Sequence, residues 1–133
     1  MTVKVYGRPK GKARPRFANG HAYTPKATRD YEKLIGTCYT EQDGRKFTGK
    51  ISLDVQAVFK IPESWTKKKK HEAVFEGKRP ECRPDIDNIV KVVMDGLNGI
   101  AYEDDAQVVE IKASKVYGLG YEGVLITLEG LDG

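Results

Sequence analysis

A twelve-residue segment in the middle of the chain reads Lys50-Ile-Ser-Leu-Asp-Val-Gln-Ala-Val-Phe-Lys-Ile61. Its apolar residues stand at every second position, and polar residues fill most positions between them. This period of two predicts a β-strand with one face in the core. Pro62 follows and ends the strand, because proline has no amide hydrogen to donate. The apolar residues of the predicted core face are Ile51, Leu53, Val55, Ala57, Phe59 and Ile61.

Three segments around this strand have helical character. Residues 86–98 repeat apolar side chains at helical spacing, and Asn98-Gly99 supplies a stop signal. A helix from Pro25 to about Thr40 is predicted with Thr24 as its N-cap. Its predicted buried face holds Tyr31, Leu34, Ile35 and Cys38. A short helix is predicted over residues 64–76.

The remaining segments are strands and loops. Residues 3–6 predict a short strand, and residues 7–24 form a long loop rich in Gly, Pro and basic side chains, with an Asn19-Gly20 turn typical of a small hairpin. Residues 107–117 and 123–129 predict two strands joined as a hairpin. The order β-α-β-α-α-β-β indicates an α/β (α+β) fold, a single domain over residues 1–133 with helices packed on a mixed sheet.

Composition limits the class of protein. The chain has 133 residues, of which 39% are hydrophobic and 32% charged, as expected for one soluble globular domain. Its apolar runs are too short for a membrane-spanning helix, and the first residues do not resemble a secretory signal. Two cysteines and two histidines are too few for a disulfide framework or a convincing zinc site. A reducing, cytoplasmic location is therefore predicted.

Charge is distributed unevenly along the chain. Residues 1–30 hold eight basic residues and one acidic residue, whereas residues 84–133 hold three basic and ten acidic residues. A protein that needed only solubility would mix its signs. The pattern suggests that one part of the chain meets a polyanion while carboxylates elsewhere hold a cation.

The most specific feature is the segment Arg83-Pro-Asp-Ile-Asp-Asn-Ile-Val-Lys91. At a helix entrance Asp85 and Asp87 can converge, and Lys91 lies one turn beyond Asp87 on the same face. Carboxylate oxygens are the ligands that Mg²⁺ prefers. Asp104-Asp105, after the helix, is expected to return beside the first pair and complete the site.

Each of these features also has a purely structural explanation. Asp at a helix start is a common N-cap, and an Asp87–Lys91 pair is an ordinary ion pair along a helix. Asp95 is interpreted as a surface partner of Lys91, and Asp104-Asp105 could be a solvated turn. Likewise, four consecutive lysines often form a solvated helix face. The combination of paired carboxylates, a nearby lysine and two basic segments in one small chain favours function.

The same residues resemble a known family. The segments Arg83–Lys91, Met94-Asp-Gly-Leu-Asn98 and Tyr102-Glu-Asp-Asp-Ala-Gln-Val108 are similar to the RusA Holliday junction resolvases, small endodeoxyribonucleases common in prophages. Gly11-Lys-Ala-Arg-Pro-Arg-Phe17 and Tyr23-Thr-Pro-Lys-Ala-Thr28 resemble the family's first segment in many phage and Gram-positive members. The resemblance covers nearly the whole chain.

This resemblance implies a Mg²⁺-dependent homodimer that introduces symmetric nicks into four-way DNA junctions, in DNA recombination and repair. By motif, Asp85, Asp87 and Asp105 match the essential acidic residues, which would hold the metal, and Lys91 matches the essential lysine. Asp104 matches the first Asp of the second pair. No organic cofactor and no membrane partner are implied. The predicted contacts to DNA phosphates are Arg8, Lys10, Lys12, Arg14, Arg16, Lys67, Lys68, Lys69 and Lys70.

Other functions stay open at this point. The N-terminal basic segment differs from that of the best-known resolvase branch, so a flap or fork is an alternative substrate. A non-catalytic DNA-binding module is a second possibility, although such a relic would be expected to lose an acidic position. A basic module for RNA or an anionic membrane surface is a third, and the paired carboxylates argue against it. Trp65 and Phe75 are the candidates for the dimer interface.

Overall fold

The computed structural model describes residues 1–131, which form one main sheet, a small hairpin and three helices. This arrangement confirms the predicted α+β class with a mixed sheet. In chain order the elements are β1 (Thr2–Tyr6), β2 (Arg16–Ala18), β3 (His21–Tyr23), α1 (Lys26–Gln42), β4 (Ile51–Lys60), α2 (Lys67–Phe75), α3 (Ile86–Leu97), a 3-10 turn (Asp105–Gln107), β5 (Val108–Gly118) and β6 (Gly123–Gly130).

The main sheet is built around β4, as its sequence predicts. The strand order is β1-β6-β4-β5, with β4 antiparallel to β6 and parallel to β5. One row of side chains runs across all four strands through Val3, Ile126, Val55 and Ala113, and the first three are buried in the core. The alternate apolar side chains of β4, from Ile51 to Phe59, are at most 1% exposed.

The predicted hairpin of the last two strands is wrong. β5 and β6 do not pair with each other, because β4 lies between them. The connection after Gly118 must therefore cross the end of β4, about 10 Å from one strand to the other. Close packing at this crossing requires glycine, since a Cβ on Gly118 would lie 2.5 Å from Val58 Cγ1. A turn signal cannot distinguish neighbouring strands from strands separated by a third.

Helices α1 and α3 cover one face of the sheet and cross each other closely. The crossing is formed by Gly36 and Gly96, and a Cβ on Gly96 would lie 2.9 Å from the Glu32 carbonyl oxygen and 3.0 Å from Ile35 Cβ. The core between helices and sheet includes Tyr39 and Tyr102, each at most 1% exposed. The opposite face of the sheet is largely polar.

The helix boundaries differ in detail from those predicted. α1 begins at Lys26 with Pro25 as the N-cap residue, not Thr24, and extends to Gln42. Its residue Leu34, predicted to be buried, is 41% exposed. α2 begins only at Lys67, since the Thr66 hydroxyl accepts a hydrogen bond from the Lys69 amide (3.2 Å) and caps the helix there. Within residues 1–131, none of the helices combines the length and apolar character needed to cross a bilayer.

Candidate active site

The paired carboxylates lie at the entrance of α3. Asp85 is the N-cap residue and Asp87 lies in the first turn, and both are exposed to solvent. The Asp85 side chain accepts no hydrogen bond from the helix amides; its Oδ2 instead accepts one from Arg83 Nη1 (2.9 Å). The peptide bond between Arg83 and Pro84 is cis. Asp85 therefore does not act as a side-chain cap, and its carboxylate remains accessible.

Lys91 is exposed one turn further along α3. In the part of the chain that the structure describes, its ammonium forms no ion pair with a carboxylate, so the Asp87–Lys91 pair is not made. The interpretation of Asp95 as a partner of Lys91 is wrong: Asp95 Oδ2 lies 3.0 Å from Lys12 Nζ. The charge of Lys91 is available for a ligand.

The second acidic pair lies far from the first within one chain. Asp85 shares a groove with Ser114 and Lys115 in the second half of β5. Asp104 and Asp105 precede the first residue of β5, and about 20 Å of strand separates Val108 from Ser114. The expected return of Asp105 beside Asp85 is thus wrong for a single chain. Residues 1–131 contain no group of three or more His, Cys, Asp or Glu side chains arranged to hold a metal.

Gln107 fixes the turn that carries the second acidic pair. Its Oε1 accepts hydrogen bonds from the amides of Glu103 (2.9 Å) and Asp104 (3.2 Å). Its Nε2 donates to the carbonyl oxygens of Phe47 (3.0 Å) and Gly49 (2.9 Å). Sequence reasoning missed this role, although the Asp104-x-x-Gln107 spacing is that of a capping box.

Tyr102 attaches the same turn to the last turns of α3. The Tyr102 hydroxyl donates to the Met94 carbonyl oxygen (2.7 Å), and the ring is fully buried. Burial first, and then the negative charge of Asp105, raises the pKa of Tyr102 well above its usual range, so it stays a neutral donor. The position of the acidic turn is therefore set by the core.

The N-terminal basic loop packs against the start of α3. The Lys12 amide donates to the Asn88 carbonyl oxygen (2.9 Å), and the Arg8 guanidinium donates to the Arg83 carbonyl oxygen (3.3 Å). Gly11 fits closely, because a Cβ there would lie 2.8 Å from Pro84 Cβ. The fold thus places Arg8, a predicted DNA-contacting cation, beside the segment that carries Asp85 and Asp87.

Lys12 differs from the other cations of this loop. Its side chain is only 14% exposed, and Nζ lies 2.6 Å from Glu32 Oε2 and 3.0 Å from Asp95 Oδ2. Burial opposes its charge, but the hydrogen bonds to Glu32 and Asp95 outweigh that effect and raise the pKa of Lys12. Lys12 therefore joins the loop to α1 and α3, which leaves little of it for a phosphate. The exposed cations of the loop are Arg8, Lys10, Arg14 and Arg16.

The lysines of α2 lie near the same end of β5. Trp65, just before the helix, packs edge-on against Tyr117 with ring centroids 5.0 Å apart. Lys69 Nζ lies 4.5 Å from the centre of the Trp65 ring, whereas Lys67 and Lys68 are exposed and Lys70 is half-buried. Trp65 is half-buried by these contacts, and Phe75, the other candidate for the dimer interface, is 74% exposed.

Three further cations surround Asp85, and sequence reasoning did not single them out. Arg79 lines the groove that contains Asp85, and its Nη1 donates to the Lys115 carbonyl oxygen (3.3 Å). The Lys115 ammonium donates to the Cys82 carbonyl oxygen, and the Arg83 side chain is 85% exposed. The available signal for Arg79 and Arg83 was the basic composition of the loop from residue 77 to 84, whereas Lys115 on β5 had no such signal.

Comparisons with known proteins agree with these features. The sequence profile of the family described as Endodeoxyribonuclease RusA matches residues 6–129 of the chain. The chain is also 38% identical over 120 residues to the uncharacterized protein YqaN of Bacillus subtilis strain 168, a match that covers 85% of this chain and 84% of that protein. The profile match includes both acidic pairs and every cation discussed above.

Proposed function

This chain belongs to the RusA family of endodeoxyribonucleases, and we propose that it is a Mg²⁺-dependent endonuclease that resolves four-way DNA junctions by paired, symmetric nicks. The observation that carries this proposal is the exposed Asp85–Asp87 pair at the start of α3, with the cations Arg8, Arg79 and Arg83 beside it. Carboxylates for a metal and cations for phosphates are thereby adjacent, as phosphodiester hydrolysis requires.

The donors at the start of α3 fit Mg²⁺. This ion commonly takes one or two carboxylates and completes its octahedron with water and substrate phosphate. Asp85 and Asp87 would supply the carboxylates. Arg83 would then release Asp85 and bind a DNA phosphate instead. Bound Mg²⁺ lowers the pKa of a coordinated water and stabilises negative charge on the phosphate. Since Asp105 is distant within one chain, its carboxylate would reach this site from a second copy.

The protein's own side chains would bind and orient the DNA. Lys91 carries an unpaired charge one turn from Asp87, where it would stabilise charge that develops on the reacting phosphate. The exposed cations would bind flanking phosphates, which gives affinity without sequence readout. These cations are Arg8, Lys10, Arg14, Arg16, Arg79, Arg83 and the lysines at 67–69, and the half-buried Lys70 and Lys115 would add to them.

A homodimer would match the symmetry of the substrate. A four-way junction needs two nicks, and one chain has one Asp85–Asp87 pair. Two identical sites related by a two-fold axis would place both cuts. Val109 and Ile111, about half exposed on the free edge strand β5, offer apolar surface for such an association next to Asp105.

Incubation with a labelled four-way junction and a matched linear duplex tests the proposed function. We expect junction cleavage with Mg²⁺, none with EDTA, and no cleavage of the duplex. Asp87→Asn should abolish cleavage but retain junction binding, because it removes a metal ligand and no cation. Junction binding without cleavage would indicate a non-catalytic DNA-binding module, and preferential cleavage of a flap or fork would reassign the substrate.

A further inference from the structure

The β2–β3 hairpin is separate from the rest of the fold. Its strands pair only with each other within residues 1–131, through Arg16–Tyr23, Phe17–Ala22 and Ala18–His21. All its strand residues are exposed, so the hairpin buries none of its side chains in the core. An isolated hairpin is only marginally stable, so packing does not account for this one.

Phe17 and Tyr23 are the large apolar side chains of this hairpin, and Phe17 is the more exposed of the two. It is 77% exposed and faces the small side chain of Ala22 across the ladder, so the space around the ring is open. On the other face Tyr23, 45% exposed, stands opposite Arg16. Exposed aromatic rings combined with basic side chains are typical of surfaces that bind nucleic acid by stacking and by phosphate contacts.

The surrounding charge selects the kind of ligand. No acidic residue occurs from Gly7 to Arg29, whereas this segment contains seven Lys and Arg residues. The hairpin also begins four residues after Lys12, whose amide donates a hydrogen bond to the Asn88 carbonyl oxygen in the first turn of α3. A cationic hairpin with an exposed ring therefore extends from the end of the molecule that holds Asp85 and Asp87.

We propose that the β2–β3 hairpin is a junction-sensing wedge in which Phe17 stacks on a base at the branch point while Arg14 and Arg16 bind the neighbouring phosphates. Aromatic side chains stack on exposed bases of any sequence, and apolar wedges enter base steps that are already weakened. A branch point offers such bases, whereas a linear duplex keeps its bases stacked. The hairpin would thus distinguish branched from linear DNA, a role that rests on the proposed nuclease function.

Binding without Mg²⁺ separates this role from cleavage. Dissociation constants are measured in EDTA for a four-way junction carrying 2-aminopurine at the branch point and for a matched duplex. Phe17→Ala should weaken junction binding by about tenfold and leave duplex binding within about twofold, since one stacked base is lost. It should also remove the change in 2-aminopurine emission that the wild type causes. Phe17→Trp, which keeps a stacking ring, should preserve both signals.

Leu119→Ala is the matched control, because Leu119 is 75% exposed in the turn between β5 and β6 and has no role in the proposed site. Unchanged junction binding by Phe17→Ala, or equal weakening for junction and duplex, would overturn the wedge. If the wild type cleaves junctions while Phe17→Ala binds them normally, only the wedge fails. If the wild type neither prefers nor cleaves junctions, both proposals fail. If Phe17→Ala loses binding to anionic phospholipid vesicles but binds junction and duplex normally, Phe17 belongs to a membrane-binding surface and the wedge is overturned.

Discussion

Asp85 shows, at the scale of one residue, how a site differs from a structural cap. An aspartate at this position could stabilise α3 by about 1 kcal/mol through a hydrogen bond to the first amides. Asp85 makes no such bond, and its carboxylate faces Arg83 at the surface. The sequence could predict the position of Asp85 and Asp87 but not this orientation, which depends on side chains from the preceding loop.

Lys91 provides a charge that the fold does not use. Lys91→Ala should slow junction cleavage by about 100-fold or more, because a charge beside a reacting phosphate contributes on that scale. Junction affinity in EDTA should change little. The rate of product formation under single-turnover conditions measures the effect. Lys33→Ala on α1 removes the same charge from an exposed site elsewhere, and an equal rate for the two variants would contradict the role of Lys91.

Gln107 allows a test of how the acidic turn is held. Gln107→Glu keeps the shape of the side chain but replaces the Nε2 donor, so the carbonyl oxygens of Phe47 and Gly49 lose their partner. We expect the free energy of unfolding to fall by about 1–3 kcal/mol, measured by urea denaturation. Gln56→Glu on the outer face of β4 adds the same charge and serves as the control. Equal stability of both variants would contradict the anchoring role.

At the scale of elements, the periodicity of the sequence predicted single helices and strands but not how the strands pair. The alternation in β4 and the helical spacing in α3 are properties of single segments, and both elements were found where predicted. The pairing of β5 and β6 was not, because it depends on β4 inserting between them. The same limit explains Asp105: sequence places it shortly after α3, but β5 starts at the opposite end of that helix from Asp85.

The crossing of α1 and α3 depends on the absence of a side chain at Gly96. Gly96→Ala improves helix propensity, yet its Cβ would lie 2.9 Å from a backbone oxygen of α1 that cannot move away cheaply. We expect a net loss of about 1–3 kcal/mol in the free energy of unfolding. Gly49→Ala, where a Cβ meets nothing within 4 Å, should leave stability nearly unchanged in the same denaturation experiment. A more stable Gly96→Ala variant would contradict the close crossing.

At the scale of the whole molecule, the fold brings basic segments that are distant in sequence together beside the acidic pair. The N-terminal loop and the segment around residues 79–83 meet at the start of α3, where their cations surround Asp85. The sequence predicted only that basic segments would bind a polyanion and acidic segments a cation, not that the two would meet at the start of α3. The specific contacts of Arg8 and the diversion of Lys12 into ion pairs are tertiary effects with no local signal.

The separation of Asp87 from Asp105 predicts that active sites are shared between two copies. Asp87→Asn and Asp105→Asn dimers should each be inactive, since each lacks one carboxylate at both sites. In a mixed dimer, one site loses both carboxylates, but the other combines the intact Asp87 of one chain with the intact Asp105 of its partner. Random mixing of the two variants should therefore restore about a quarter of the wild-type nicking rate, because half the dimers are mixed and each has one working site. Nicking of one strand per junction, followed on a denaturing gel, measures this recovery.

If each chain carried its own complete site, both sites of the mixed dimer would be defective and the mixture would stay inactive. A fully active Asp105→Asn dimer would remove Asp105 from the site altogether.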